Sequence, residues 1–172
     1  MEINGRTIAN EILADLTQRV TRLKQAAGII PRLAVIRVGD DPAITSYINQ
    51  KVKMAKTIGA VIDVYQYPET VTESALLENI DSLQRIDKVD GLLVQLPMPP
   101  HLNAEKLINA VHPDKDVDGF HPRTKSIVPV AGAVMSILEK IYENDPQWDD
   151  DDFFSWLKAK YIVVLGKGKT GG

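Results

Sequence analysis

The stretch Val89-Asp90-Gly91-Leu92-Leu93-Val94-Gln95-Leu96-Pro97-Met98-Pro99 decides the fold class. Its apolar run is entered through Asp90-Gly91 and stopped by Pro97. The run is too short for a typical helix and therefore predicts a strand that is covered on both faces. Gln95 falls at the carboxyl end of this strand, the edge at which open α/β sheets bind their ligands. The Gln95 amide either contacts a substrate or bonds a neighbouring backbone group, and the strand alone leaves both possibilities open.

The chain up to residue 143 alternates between helix and strand patterns. Apolar residues at three- and four-residue steps predict helices around residues 8–23, 44–58, 76–83 and 130–142, and β-rich runs predict strands at 33–38 and 61–67. We expect Gly28 and Gly59 to end the first two helices. The capping-box spacing of Thr70 and Glu73 is expected to begin the third, and Asn103 to cap a short fourth helix. The alternation predicts an α/β fold with a mostly parallel sheet and helices on both faces.

The pattern breaks after residue 143. The following segment contains Pro146 and four consecutive aspartates, which predicts an exposed acidic linker with a short helix after it. A metal site in this run is not expected, because adjacent side chains of a flexible segment do not converge on one ion.

A nucleotide-binding pattern closes the chain. Tyr161-Ile162-Val163-Val164-Leu165 predicts a strand, and Gly166-Lys167-Gly168-Lys169-Thr170-Gly171 follows it directly. Glycines in Gly-x-Gly-x-x-Gly spacing after a strand let a backbone approach a pyrophosphate. The chain is expected to be truncated early in this second domain. The predicted segments are an amino-terminal α/β catalytic domain at 1–143, a linker with a short helix at 144–160, and the first strand and glycine turn of an incomplete Rossmann-type domain at 161–172.

Composition excludes several classes of partner. The 172 residues carry a formal net charge of −3, with no basic excess of the kind that holds nucleic acid or an anionic membrane. There is no cysteine, so the chain has neither disulfides nor thiolate metal ligands. No stretch has the length of a membrane span and the start has no secretory signal pattern, so a cytoplasmic location is expected.

Two side chains on the second predicted helix are candidates for chemistry. Tyr47 and Lys51 lie one turn apart and are offset by about a hundred degrees from the buried stripe, so both can face a common cleft. A partly desolvated Lys51 would have a lowered pKa and could transfer protons, or it extends its amine into water. The Tyr47 ring either stacks on a flat ligand or fills the groove.

Acidic and imidazole side chains in the loops are weaker candidates. Asp116 and Asp118 either grip donor groups of a ligand or are solvated turn acids. The three histidines each adjoin a proline in separate loop segments, which suggests neither a metal site nor a catalytic triad.

Four stretches together resemble the methylenetetrahydrofolate dehydrogenase/methenyltetrahydrofolate cyclohydrolase family. They are Gly39-Asp40-Asp41-Pro42-Ala43, Tyr47-x-x-x-Lys51, Val89-Asp90-Gly91-Leu92-Leu93-Val94-Gln95-Leu96-Pro97 and Lys115-Asp116-Val117-Asp118-Gly119-Phe120-His121-Pro122. The motifs occur in family order over about residues 1–122, with a weaker likeness from Tyr161 onward. The resemblance implies a bifunctional folate enzyme of one-carbon metabolism, with a substrate cleft between an α/β domain and a Rossmann-type domain.

The resemblance also implies roles for individual residues. Lys51 is similar to the catalytic lysine of the family, Tyr47 to its stacking tyrosine and Gln95 to the glutamine that tunes the lysine. Asp118 corresponds to the pterin-binding aspartate, and Pro97 joins the substrate-binding set. The implied cofactor is NADP, with NAD as the other possibility and no metal. Its binding residues would be Gly166, Lys167, Gly168 and Gly171.

The leading hypothesis is an NAD(P)-dependent enzyme that oxidises methylenetetrahydrofolate and hydrolyses methenyltetrahydrofolate to formyltetrahydrofolate. Its implied ligands are tetrahydrofolate derivatives, without nucleic acid or membrane, and the resemblance implies a homodimer for the intact protein. One alternative is a non-catalytic folate-binding module produced by truncation or divergence. Another keeps only the α/β fold, as a subunit-contact domain of an unrelated dehydrogenase.

Overall fold

The computed structural model describes residues 3–146 and 152–163 of the chain. Its elements in chain order are α1 (Gly5–Ala27), β1 (Arg32–Val38), α2 (Pro42–Ile58), β2 (Val61–Tyr67), α3 (Glu73–Gln84), β3 (Gly91–Val94), α4 (Ala104–Asn109), α5 (Pro129–Glu143) and α6 (Phe153–Lys158). Among these helices none is long and apolar enough to cross a membrane.

The three strands form one parallel sheet in the order β2-β1-β3. Val35 in the central strand is flanked by Val64 on one side and Leu93 on the other. Because all three strands run the same way, their carboxyl ends meet at one edge, where Gln95 follows β3 directly. The predicted α/β fold with a parallel sheet is confirmed.

Both faces of the sheet are covered by apolar contacts. On one face, Val35 and Leu93 pack against Ile44 and Ile48 of α2. The other face packs against α3 and α4. Its buried residues include Ala34, Ile36, Val38, Leu76, Ile80, Leu83, Leu92, Val94 and Leu107. Side chains alternate along a strand, so Val35 and Ile36 point to opposite faces of the sheet. Strand β1 therefore contributes residues to both hydrophobic cores.

The helix ends agree with the sequence at three of the four predicted positions. Gly28 and Gly59 follow α1 and α2 with φ of 66° and 83°, the left-handed conformation that favours glycine. Asn103 caps α4, with its side chain accepting from the Lys106 amide. The predicted cap at Thr70 is wrong, because Thr72 caps α3 and accepts from the Ala75 amide.

The chain divides into two compact units. One comprises residues 13–126 and contains the sheet, while the described residues of the other are 3–12, 127–146 and 152–163. Within the second unit, Tyr142, Phe153 and Trp156 form an aromatic cluster in which the Tyr142 ring meets the other two edge-on at 5.7 Å. The segment boundaries drawn from the sequence at 143 and 160 stay predictions.

The carboxyl-terminal predictions are met only in part by described residues. The short helix appears as α6, whose first turn is capped by the Asp152 side chain. Residues 161–163 are not assigned to a strand, and most of the aspartate run and the glycine turn Gly166–Gly171 lie outside the described residues. The proposed nucleotide-binding residues are therefore without a structural test.

Candidate active site

Helix α2 presents two of the predicted side chains beside the sheet edge. Asp41 starts this helix by accepting the Ala43 and Ile44 amides, and Ile44 and Ile48 bury its apolar stripe. Lys51 is half-buried next to that stripe, whereas Tyr47 is 53% exposed. The Lys51 amine lies 4.6 Å from the centroid of the Tyr47 ring, within the range of a cation–π contact.

Gln95 meets this lysine from the end of β3. Its residue is 8% exposed, and its side-chain Oε1 lies 3.2 Å from Lys51 Nζ, which donates to it. The Gln95 Nε2 group donates to the Leu96 carbonyl at 2.7 Å. Because the amide nitrogen is engaged with a carbonyl, the amide oxygen is the atom turned to Lys51. Of the two possibilities left open by the sequence, the structure shows the bond to a neighbouring backbone group, and the other polar atom of the side chain contacts Lys51.

Asp118 brings a carboxylate to the same place from the loop after α4. It is half-buried, and it acts on Lys51 through charge. Burial lowers the pKa of Lys51 below its ordinary value, and the Asp118 charge opposes part of that decrease. Burial likewise raises the pKa of Asp118, opposed by Lys51 and reinforced by the charge of Asp116. The environment therefore favours the neutral form of each group, despite their mutual attraction.

Asp116 has a structural part in this loop. It is 5% exposed, and its Oδ1 accepts the amides of Asp118 and Gly119, both at 3.1 Å. Its Oδ2 accepts the His121 amide at 2.9 Å. The carboxylate is thus neither a solvated turn acid nor free to grip a ligand. It shapes the turn that carries Asp118.

The other predicted candidates lie apart from this group. Pro97 is exposed two residues beyond Gln95. His101 and His112 are exposed, while His121 is buried with its Nδ1 accepting the Arg123 amide at 3.0 Å. Within the part of the chain that the structure describes, no cluster of three or more histidine and acidic side chains could hold a metal ion.

Surface depressions mark this site only in part, since a small cavity is lined by Asp116, Asp118 and Phe120. Another depression lies over the solvent side of α2 and is lined by residues such as Asp40, Ser46, Asn49 and Lys53. Lys51 is on a different face of that helix. The groups that can supply chemistry are the polar side chains that converge at Lys51.

Sequence reasoning missed one charged residue near the site. Arg37 lies in β1 and is only 5% exposed, although it carries a guanidinium group. The signal that could have revealed it is a single charge inside the apolar run Leu33–Val38, just before the carboxyl edge of the sheet.

The fold and the site together indicate the class of protein. The chain contains a parallel α/β domain in which a partly desolvated lysine is hydrogen-bonded to a glutamine amide at the carboxyl edge of the sheet, as expected of an enzyme's catalytic domain. The family described as "Tetrahydrofolate dehydrogenase/cyclohydrolase, catalytic domain" matches residues 3–118. The chain belongs to this family.

Individual relatives agree with that assignment. The Bifunctional protein FolD of Christiangramia forsetii is 44% identical over 172 residues, which is 99% of this chain and 56% of the relative. A crystal structure of FolD from Campylobacter jejuni superposes with a TM-score of 0.77 at 35% identity, covering 82% of this chain and 53% of that one. A Trypanosoma brucei dehydrogenase-cyclohydrolase, complexed with NADP cofactor and inhibitor, gives a TM-score of 0.77 at 27% identity, covering 83% and 52%. The chain spans little more than half of the length of the curated relatives it matches.

Proposed function

We propose that this chain forms the folate-binding catalytic part of an enzyme of one-carbon metabolism. The enzyme oxidises methylenetetrahydrofolate with a nicotinamide cofactor and hydrolyses methenyltetrahydrofolate to formyltetrahydrofolate. The observation that carries the proposal is the half-buried Lys51 amine 3.2 Å from the Gln95 oxygen, with Asp118 acting on it through charge. Family membership and the names of the relatives support it.

The hydrolysis step needs a proton acceptor next to a cationic carbon. Water adds to the methenyl carbon and gives up a proton, one carbon–nitrogen bond then breaks, and the released nitrogen takes up a proton. Lys51 is the acceptor, because a lowered pKa increases its neutral fraction near pH 7. Gln95 orients the amine because its side-chain oxygen accepts a hydrogen bond from Lys51 Nζ.

Substrate binding uses the neighbours of the lysine. The exposed ring of Tyr47 is a platform on which a flat pteridine stacks. The carboxylate of Asp118 accepts hydrogen bonds from the amino and amide groups of the pteridine. Both side chains lie next to Lys51, so a bound pterin would have its one-carbon unit near the amine.

The oxidation step belongs to a nicotinamide cofactor, which supplies the hydride acceptor. The structure of the Trypanosoma brucei relative with NADP supports this cofactor, and we propose NADP in preference to NAD. The residues proposed to hold it, Gly166, Lys167, Gly168 and Gly171, lie outside the described part of the chain. We also propose tetrahydrofolate derivatives as the ligands and a homodimer for the intact enzyme, without a metal.

The substitution Lys51→Met tests this function in the protein that carries this chain. Methionine keeps a comparable aliphatic stem and removes the amine, so affinity for a folate analogue should change little. Hydrolysis, followed by loss of the methenyl absorbance, should fall by a factor of about 100. The matched control is Lys53→Met, since Lys53 is an exposed lysine on the same helix. Wild-type hydrolysis in Lys51→Met would contradict the proposal and favour the non-catalytic folate-binding module.

A further inference from the structure

The buried arginine of β1 faces helix α2. Val35 lies two residues earlier in the strand and packs against Ile44 and Ile48 of that helix. Because side chains of a strand alternate, Arg37 extends from the same face, at the carboxyl end. No carboxylate among the described residues pairs with its guanidinium group, although burial of an unpaired charge is costly. Its hydrogen bonds must therefore compensate for the lost hydration.

These hydrogen bonds all go to the β1–α2 turn and the first turn of the helix. Arg37 Nε and Nη2 donate to the Gly39 carbonyl at 3.2 and 2.8 Å, and Nη1 donates to Thr45 Oγ1 at 2.8 Å. Thr45 Oγ1 in turn donates to the Asp41 carbonyl at 2.8 Å. The Gln66 side chain donates to the same Gly39 carbonyl at 3.1 Å. One buried side chain thus joins β1 to the start of α2.

The contact with Thr45 lies opposite the catalytic lysine across the buried stripe. At about 100° per residue, Thr45 and Lys51 project about 60° to either side of Ile48. Helix α2 therefore has one polar contact on each flank, Arg37 with Thr45 and Gln95 with Lys51. The apolar contacts between them are non-directional and do not by themselves fix how far the helix rolls on the sheet.

We propose that Arg37 is a positioning residue, which through Thr45 fixes the roll of α2 and so holds the Lys51 amine against Gln95. The inference rests on the proposed function only where it treats Lys51 as catalytic. The position of the Lys51 amine can be measured without turnover, so that part of the inference is independent of the proposed function.

The decisive comparison is between Thr45→Val and Thr45→Ser. Valine removes the hydroxyl that accepts from Arg37 while keeping the side-chain shape, whereas serine keeps the hydroxyl. Both variants retain the Arg37 charge and leave Tyr47, Gln95 and Asp118 unsubstituted. The readout is the titration of Lys51 in the 172-residue chain, by carbon NMR of labelled lysine assigned with Lys51→Met.

We expect Thr45→Val to raise the pKa of Lys51 toward its ordinary value, because a helix free to roll exposes the amine to water. Thr45→Ser should titrate as the wild type does. Arg37→Met should shift the titration in the same direction as Thr45→Val. Arg32→Met should not, since Arg32 lies at the other end of the same strand and pairs with Asp63. Equal titration of Lys51 in Thr45→Val and Thr45→Ser would overturn the proposal.

Hydrolysis separates the two proposals. With Lys51 displaced in Thr45→Val, kcat should fall on the order of tenfold with KM little changed. If the titration moves and hydrolysis does not, Arg37 positions Lys51 as proposed and the catalytic role of Lys51 fails.

Discussion

At the scale of single residues, Lys51 is governed by two opposed influences. Burial favours its neutral amine and the charge of Asp118 favours its ammonium form, and burial is the larger influence. For Asp118, too, burial is the larger influence: it raises the pKa of the carboxyl more than the attraction by Lys51 lowers it. Each group therefore affects the fraction of the other that is ionised.

The substitution Asp118→Asn should move the pH profile of hydrolysis to lower pH. Removing the negative charge removes the influence that raises the pKa of Lys51, so the pKa falls further and the neutral amine is populated at lower pH. The measurement is kcat against pH, corrected for spontaneous hydrolysis, and KM should rise because the pterin loses a contact.

Asp114→Asn is the control for this prediction, since Asp114 is an exposed acid in the same loop. A profile of Asp118→Asn that stays in place or moves to higher pH would contradict the assigned charge coupling.

Some side chains of the site could be predicted from the sequence and others could not. Helical spacing was enough to place Tyr47 and Lys51 on one flank of α2, and the strand ending placed Gln95 at the sheet edge. The role of Asp116 was not predictable, because it depends on the path of the backbone amides in an irregular loop. Arg37 was missed for a similar reason, since its bonds to Gly39 and Thr45 exist only once α2 lies on β1.

At the scale of elements, the loop between α4 and α5 depends on one carboxylate. Both oxygens of Asp116 accept backbone amides, and Leu92 of β3 pairs with this residue in an isolated bridge. The Ser126 hydroxyl also donates to the Asp116 carbonyl at 2.6 Å. Asp116 therefore both attaches the loop to the outer strand β3 and shapes the turn of the loop.

The substitution Asp116→Asn should lower the free energy of unfolding by about 2 kcal/mol. An amide has one acceptor oxygen, so whichever way it turns, an amino group faces at least one backbone N–H that it cannot satisfy. Urea titration measures the effect. Asp114→Asn in the same loop should change stability by less than about 0.5 kcal/mol. Equal stability of the two variants would show that the Asp116 bonds are dispensable.

The start of α3 shows why one element boundary was predicted wrongly. Thr70 and Glu73 have capping-box spacing, but the Glu73 carboxylate instead accepts the Lys106 amine at 2.6 Å and the Asn103 amide at 3.0 Å. These partners come from the start of α4, some thirty residues later. A contact between two helices has displaced a local capping preference, and local spacing contains no information about such a contact.

At the scale of the whole molecule, burial disfavours the charged forms of Lys51 and Asp118 in the folded chain. The pKa of Asp118 is raised, so its stabilising contribution is present below the unfolded pKa and is lost as pH rises through the folded pKa. The pKa of Lys51 is lowered, so its destabilising effect persists below the folded pKa and is relieved only as pH approaches the unfolded value. Near neutral pH, whichever of these groups is ionised reduces stability.

The double variant Lys51→Met/Asp118→Asn should therefore melt on the order of a few degrees above the wild type while losing hydrolysis. Scanning calorimetry at pH 7 measures the change. The matched control, Lys53→Met/Asp114→Asn, makes the same substitutions at exposed positions of the same two elements and should melt within about a degree of the wild type. A lower melting temperature for the site variant would contradict this account.

The different surroundings of Asp116 and Asp118 also bear on how such chains drift over evolutionary time. We expect Asp116 to be retained wherever this loop keeps its fold, because its carboxylate accepts backbone amides. We expect Asp118 to be retained only where the proposed folate ligand is bound, because its carboxylate is not part of that turn and burial raises its pKa. A relative without the proposed folate chemistry is expected to keep the first aspartate and to be free to replace the second. Among relatives, therefore, an intact Asp116 together with a substituted Asp118 would indicate a domain that has kept this fold and no longer binds the proposed folate ligand.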